Sequence, residues 1–540
     1  MSQPYGLSSK GGLYTSLNQL EMTGQPGVAS TLRNFEVDAD GGYRRVNGFS
    51  PFGGASAVRP NGATPILGLQ VYADGVIATA DDDMFFSQDG TSYLQLNKAS
   101  VSGSGDNFST FSGRSVSAFT SPEQSQFAVF EGVDDFGSVI MTDKSGNNKP
   151  FFFKMTGTGA LNTRTFFAES ITIDGSKTAK FCTVHDKHLV VAGDPSTPST
   201  IYFSATNDPT SFSGTGSGSI ALEDQIVGIK SFRNDLIIFC QNSLFKLINI
   251  NDSSNIAVVP ITQNVGCMDG ASIQEIGGDL LFLSPDGLRT VAGTARIGDV
   301  ELSSVSRPIQ SIIQNIADNI NNFTITSAVL RSKSQYRLFY NIPTGASETA
   351  DSSAKGIIAT ITNQGFQYSE TAGIKATAIS SDFDNNGIEK TFHGDSNGFI
   401  YNHDDGNSFH SGATARDIDA AYQTPSLDFG DAGTRKTLYY MRLSVSPEGA
   451  VQPSLRVRFD FEDPDVAQPP DYIFDSIPLP SIFGTGILGT NVFGAPSDPL
   501  VRQAIQGSGH TISFIIKSND QKAPYTVNGM YVNYAPSGRR

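Results

Sequence analysis

The chain returns seven times to one pattern, an apolar run after one or two polar or glycine residues, usually closed by a turn. It reads DGVIATA from Asp74, SQFAVF from Ser125, KHLVVAG from Lys187, NDLIIFC from Asn234, GDLLFLS from Gly278, SQYRLFYN from Ser334 and IEKTFHG from Ile388. With Gly75, Gln126, His188, Asp235, Asp279, Gln335 and Glu389 as equivalent positions, the steps are 51, 62, 47, 44, 56 and 54 residues. That is the period of a β-propeller blade. A four-stranded antiparallel blade cannot bury both faces alone, so successive blades must stack around an axis and close. The expected fold class is all-β, a β-propeller of six or seven blades with a C-terminal β-sandwich and an N-terminal hairpin or arm. Such a ring is a scaffold, and its shape does not give its function.

Bulk properties agree. At 540 residues the chain exceeds the size at which one core stops growing. Its 55 Gly, 26 Pro, 37 Phe and 17 Tyr supply turns and strand fillers. The absence of Trp lowers the case for carbohydrate stacking and aromatic cages. A net charge of −16 argues against wrapping nucleic acid by phosphate neutralisation. Residues 1–415 hold 26 basic and 40 acidic side chains, and residues 416–540 hold 11 and 13, so the negative excess belongs to the repeats. Cys182, Cys240 and Cys267 have neither disulfide-like nor metal-like spacing and are expected as buried free thiols. The N-terminus shows no export signal and no stretch is long enough to span a bilayer, which predicts folding in a reducing cytoplasm.

Three regions are expected: an N-terminal arm and hairpin over 1–54, the propeller over 55–415, and a sandwich over 416–540. In the arm, TLRNFEVD and YRRVNGF flank a DADGG turn, with Gly41 and Gly42 supplying positive φ. Inside the propeller, a Ser/Gly-rich break occupies SVSGSGDNFSTFSGRS, and extra length near 143–180 reads as an insertion decorating one face. Ile309, Ile312, Ile313, Ile316 and Ile320 predict a helix near 307–321, capped by Ser306, opened by Pro308 and docked outside the ring. Beyond Ala415, LYYMRLSVSP, SLRVRFDFED, GHTISFIIKS and YTVNGMYVNYAP alternate as sandwich strands do. The apolar loop FDSIPLPSIFGTGILGTNVFG is expected to cover the sandwich edge or pack on a neighbouring subunit.

No constellation carries chemistry. SQDGTSY from Ser87 and SPDGLRT from Ser284 resemble the Asp-box turn of sialidase-like propellers, which is structural, and no arginine cluster with a Tyr nucleophile accompanies them. DFDNNG from Asp382 matches half a calcium loop, but its twelfth position is His393 instead of Glu. His185 and His188 flank strand residues and are poorly placed for zinc. Phosphate-binding, nucleophile-elbow, zinc-protease and dinucleotide motifs are missing. The chain therefore reads as a non-enzyme with no catalytic, cofactor-binding or metal-binding residue assigned.

Several segments together resemble the tail nozzle proteins of short-tailed bacteriophages, also described as tail tubular protein B-like or packaged-DNA stabilisation proteins. The opening GGLYTSLNQLEMTGQPGVASTLRNFEVDADGGYRRVNGF is similar to theirs in a Gly-rich start, a strand with Asn34, the turn Asp40 to Tyr43, and the paired Arg44 and Arg45. The run HDKHLVVAGDPSTPSTIYFSATNDPTSF, with IVGIKSFRNDLIIFCQNSLFKL and VGCMDGASIQEIGGDLLFLSPDGLRTV, resembles their propeller. The ending GHTISFIIKSNDQKAPYTVNGMYVNYAPSGRR resembles their terminal sandwich strands.

The resemblance implies a virion structural protein assembled in the host cytoplasm. It implies a homohexameric ring below the tail adaptor ring that forms the lower tail tube, retains packaged DNA, conducts the duplex during ejection, and offers its outside to tail fibres or spikes. An acidic repeat region facing that lumen would let duplex DNA slide without a counterion-release grip. The alternative reading is a propeller-based adhesion or receptor-binding module, and a sialidase-like glycosidase stands third.

Overall fold

The computed structural model describes residues 3–97, 111–115, 119–130, 137–157, 164–292, 304–342, 354–475, 477, 480–481, 492–493 and 500–539. Most of the Ser/Gly-rich break after Ser100 and most of the apolar loop after Phe474 lie outside the described residues.

Seven sheets stand around one axis. Blade 1 is Ile66–Tyr72, Gly75–Ala80, Asp83–Ser87 and Leu94–Gln95. Blade 2 is Ser125–Phe130, Ser138–Asp143, Phe151–Thr156 and Thr165–Ser170, with Phe111–Ser115 added in parallel outside. Blade 3 is Phe181–His185, His188–Asp194, Thr197–Phe203 and Gly218–Ala221. Blade 4 is Ile226–Phe232, Asp235–Cys240, Leu244–Ile248 and Ala257–Thr262. Blade 5 has three strands among the described residues, Gln274–Ile276, Asp279–Ser284 and Gly287–Thr290. Blade 6 is Thr324–Leu330, Gln335–Asn341, Ala354–Thr362 and Gly365–Ala372. Blade 7 is Ala378–Phe383, Glu389–Gly394, Ile400–His403 and, from the N-terminal arm, Phe49–Pro51. The first strand of every blade faces the common channel.

The repeated apolar run is the second strand in six of the seven blades. Every residue of Gly75–Ala80, His188–Asp194 and Gln335–Asn341 is buried, because adjoining blades cover both faces. A strand covered on both sides reads as a continuous apolar run instead of an alternation. The hairpin into blade 3's second strand turns at Asp186 and Lys187, with φ of 46° and 66°, the backbone of a two-residue reversal. Blade 2 departs from the expected alignment: SQFAVF is its first strand, and its second is Ser138–Asp143. The extra length near 143–180 is accordingly the blade's own third and fourth strands, not a decoration.

The sandwich draws on both ends of the chain. Its first sheet joins Phe35–Val37, Tyr43–Arg45, Tyr525–Arg539, Thr434–Pro447 and Leu500–Ala504, with Gln3–Ser8 paired to Tyr525–Arg539. Its second joins Thr31–Arg33, Ile418–Gln423, Ile512–Asp520, Ser454–Phe459 and Tyr472–Ile473. That sheet continues into blade 6, because Thr31–Arg33 also pairs with Gly365–Ala372, Arg33 opposite Glu370. The region 1–54 is therefore not a free-standing hairpin. Its strands complete the sandwich, and Phe49–Pro51 closes the ring by supplying the outer strand of the last blade. The expected Gly41–Gly42 turn is present, at φ of 105° and 98°.

The isoleucine helix forms as a single turn at Arg307–Ile309 and an α-helix at Gln310–Asp318, followed by another turn at Ile320–Asn322. Ile309, Ile313 and Ile316 are fully buried against Leu281, Leu283 and Leu288 of blade 5, in one core shared with the sandwich. Ser306 does not cap it. Its hydroxyl accepts from Leu288 N at 2.9 Å, while Val305 N donates to Leu288 O at 2.9 Å. The segment thus covers the side of blade 5 where a fourth strand would stand. No described helix is long and apolar enough to cross a membrane.

Candidate functional site

The arm residues that carry the family resemblance converge where the last two blades meet the sandwich. Asn34, at φ 53°, donates from Nδ2 to Ala372 O at 3.0 Å and to Asp419 O at 2.9 Å, and its Oδ1 accepts from Ala372 N at 2.9 Å. One side chain thus joins blade 6 to a sandwich strand. Tyr43 is fully buried, donating to Gly27 O at 2.8 Å and accepting from Gly12 N at 3.0 Å. Arg45, 1% exposed, donates to Lys522 O at 2.6 Å and Asp520 O at 2.5 Å. Asp40 stays at the surface, in the turn where Asp38 N donates to Gly42 O.

Between Phe35 and Val37, Glu36 points the other way, into a buried charged cluster. It is 3% exposed and accepts from Arg44 at 2.7 Å, Lys333 at 2.9 Å, Gln335 at 3.1 Å and Arg337 at 3.0 Å. Asp404 takes Lys333 at 2.7 Å and Arg337 at 3.1 Å, and Arg44 reaches on to Glu448. Three cations face three carboxylates from the arm, blade 6, blade 7 and the sandwich. Burial pushes the Glu36 and Asp404 carboxyls up, but Lys333 and Arg337, with Arg44 at Glu36, outweigh it and hold both below the usual carboxylate range. Arg337 also donates to His403 Nε2 at 3.0 Å, and His403 Nδ1 lies 3.1 Å from His393 Nδ1. Since Arg337 can only donate, His403 carries its proton on Nδ1 and donates it to His393. Burial drives His393 down to about 3 and, with His393, Arg337 and Lys333, drives His403 well below the ordinary value.

Sequence patterns did not single out Glu36, Lys333, Arg337, His403 or Asp404. The signal was present in one form: Arg337 interrupts the apolar run QYRLFY, and Glu36 sits between two core residues. A charge in such a position is tolerated only when paired.

The propeller channel encloses a cavity of about 300 Å³. Its charged lining is Lys144, Lys180, Lys230 and Arg331 against Asp269, Glu275 and Asp382, a balance of +1. The acidic excess of the repeats is therefore not in this channel. Lys144 pairs with Asp269 at 2.6 Å and Arg331 with Asp382 at 3.8 Å. Burial lowers Lys230, Glu275 and Asp382 oppose that, and Arg331 adds to it. Neither Lys180 nor Lys230 makes an ion pair among the described residues, and Gln126 Oε1 has no hydrogen-bond partner.

The remaining sequence candidates sit in structural roles. Ser87 accepts from Gly90 N at 2.9 Å and Asp89 from Thr91 N at 2.9 Å, a hairpin turn. Ser284 and Gly287 close the hairpin of blade 5, where Asp286 pairs with Arg289. Asp384 accepts from Asn386 N at 2.8 Å and Ile388 N at 3.0 Å, Asp382 faces the channel, and His393 is buried within blade 7. His188 meets Ser204 O and Asn251, whereas His185 meets Ser231. No group of three metal-ligating side chains occurs among the described residues. Cys182, Cys240 and Cys267 are buried and unpaired, each thiol pushed up to about 12 by burial.

No protein-family model and no curated protein sequence matches the chain. Among solved structures, it is similar to the extracellular domain of a B. thetaiotaomicron protein described as a one component system, at 12% identity and a TM-score of 0.37. That match covers 67% of this chain and 40% of the other, so this chain spans well under half of that domain. The WD40 domain of Neurospora crassa Pan2 is similar at 8% identity and a TM-score of 0.33, over 63% of this chain and 88% of that one. At such scores the likenesses carry no argument about role, and the propeller stands on its own strand order.

Proposed function

We propose that this chain is a structural virion protein, the subunit of a hexameric nozzle ring that forms the lower tail tube of a short-tailed phage. One observation carries the reading. Asn34 and Arg45, which bear the resemblance, bond the arm to the propeller and sandwich, while Tyr43 and Arg44 brace the arm from within and Arg44 reaches the sandwich at Glu448, and none of the four lines a reactive pocket. A chain that threads its first fifty residues through its last blade and its C-terminal sheets suits mechanical containment. In this reading the tail adaptor ring lies above, fibres or spikes attach outside, and the duplex runs through a lumen between subunits. The test is the mass and symmetry of the assembled particle: a closed sixfold ring supports the reading, and a threefold spike contradicts it.

A second reading, a propeller-based adhesion or receptor-binding module, is favoured by the polar channel, where among the described residues Lys180 and Lys230 form no ion pair and Gln126 Oε1 has no hydrogen-bond partner. It requires saturable binding of a host surface component by the isolated chain, which a nozzle does not.

A further inference from the structure

The first sandwich sheet turns one face to the core and the other to solvent, and the outer face is unlike the rest of the molecule. Its strands Gln3–Ser8, Thr434–Pro447, Leu500–Ala504 and Tyr525–Arg539 contain no Asp or Glu, in a chain of net charge −16. Register sets Tyr531 opposite Arg442 and Arg442 opposite Arg502, with Tyr440 on the neighbouring row opposite Ala504 and Asn533. Both guanidinium groups lie over the Tyr440 ring, Arg502 at 4.4 Å and Arg442 at 5.4 Å from its centroid. Tyr531 is 55% exposed and Leu500 53%. Gly6 makes room for the former, since a Cβ there would sit 3.2 Å from the tyrosine ring.

Two like charges directly opposite on adjacent strands destabilise a sheet. Neither Arg442 nor Arg502 forms an ion pair among the described residues, and the Tyr440 ring that both share supplies no opposite charge. Exposed Tyr and Arg around an apolar residue are also the side chains that dominate protein interfaces. The complementary charge is in the same chain. Residues 1–415 carry 40 acidic against 26 basic side chains, with Asp81, Asp82 and Asp89 of blade 1 exposed.

We propose that this face is half of a heterologous interface, by which the sandwich of one copy seats on the acidic propeller region of the next. The inference rests on the ring reading above and names its contact. An interface between two different faces closes into a ring when its rotation permits, whereas an isologous one stops at two copies. A carboxylate-bearing protein surface satisfies both arginines. Nucleic acid would have to approach a strongly acidic molecule to do the same.

The test measures the mass of the full-length chain against concentration and salt, for the wild type and for R442E/R502E and R442Q/R502Q. The wild type is expected to associate and to dissociate as salt rises. Charge reversal should weaken association at least about tenfold, and neutralisation less, with thermal melting unchanged in both. Association of R442E/R502E as tight as that of the wild type would overturn this inference and leave the ring reading standing. A wild type that stays monomeric at every concentration overturns both. Unchanged association, with loss of binding to a labelled DNA oligonucleotide that the wild type retains, assigns the face to nucleic acid and also overturns the inference.

Discussion

Arg337 of blade 6 donates to His403 of blade 7 at 3.0 Å, and this contact fixes the protonation of two histidines. With His403 Nε2 occupied as an acceptor, its Nδ1 proton must point at His393, so both rings are held neutral in the blade 7 core. The same guanidinium bonds Glu36 and Asp404. One side chain thus ties the arm, two blades and the histidine pair.

Replacing Arg337 with methionine should destabilise the protein by about 3–5 kcal/mol, because it leaves buried Glu36 and Asp404 short of a partner. Denaturant unfolding checks this, and a loss under about 1 kcal/mol would show that Lys333 and Arg44 suffice.

Acid should weaken the fold through its buried histidines before Glu36 and Asp404 titrate. A histidine whose folded pKa is depressed binds its proton only on unfolding, so stability falls as pH drops below the unfolded value of 6.5 and continues falling to about 3 for His393. Each such histidine adds about 1.4 kcal/mol per pH unit of slope in that window. Glu36 and Asp404, held low, contribute stability above their unfolded values that is lost as pH falls through their folded ones. Unfolding free energy measured from pH 7 to pH 4 should show this slope, and His393→Asn should reduce it by about 1.4 kcal/mol per unit. A flat profile would mean that the histidines are protonated in the native state.

Removal of residues 1–51 should abolish cooperative folding, since it strips blade 7 of Phe49–Pro51 and the sandwich of its arm strands. For the same reason residues 55–415 should not fold alone. A cooperative thermal melt from either fragment would contradict the stitched architecture.

The three thiols should be silent in the native protein. Burial raises each to about 12 and leaves it without an accessible thiolate. A thiol reagent at pH 8 should label none before unfolding and all three in denaturant. Rapid native labelling of one cysteine would locate a local opening.

Propeller class was legible because second strands such as DLIIFC and DLLFLS are covered on both faces and announce themselves as unbroken apolar runs. Blade 2 was misaligned because its first strand, SQFAVF, carries the same pattern as the second strands elsewhere. The arm's role was hidden for a different reason: Thr31–Arg33 and Phe49–Pro51 are three residues each, too short for periodicity to register, and their partners lie more than 300 residues away. Glu36 and Arg337 stand out as charges among apolar residues, but their pairing is hidden for the same cause, since only the fold brings residue 36 beside residues 333 to 337 and 404. The exposed Arg442 and Arg502 pair depends on strand register, which a list of residues does not contain.

The most direct measurement is the mass and rotational symmetry of the particle this chain forms with itself or in a virion tail. A closed ring of six copies, with the sandwich of each against the propeller of the next, is the predicted result. A monomer at all concentrations, or a threefold assembly, would contradict it.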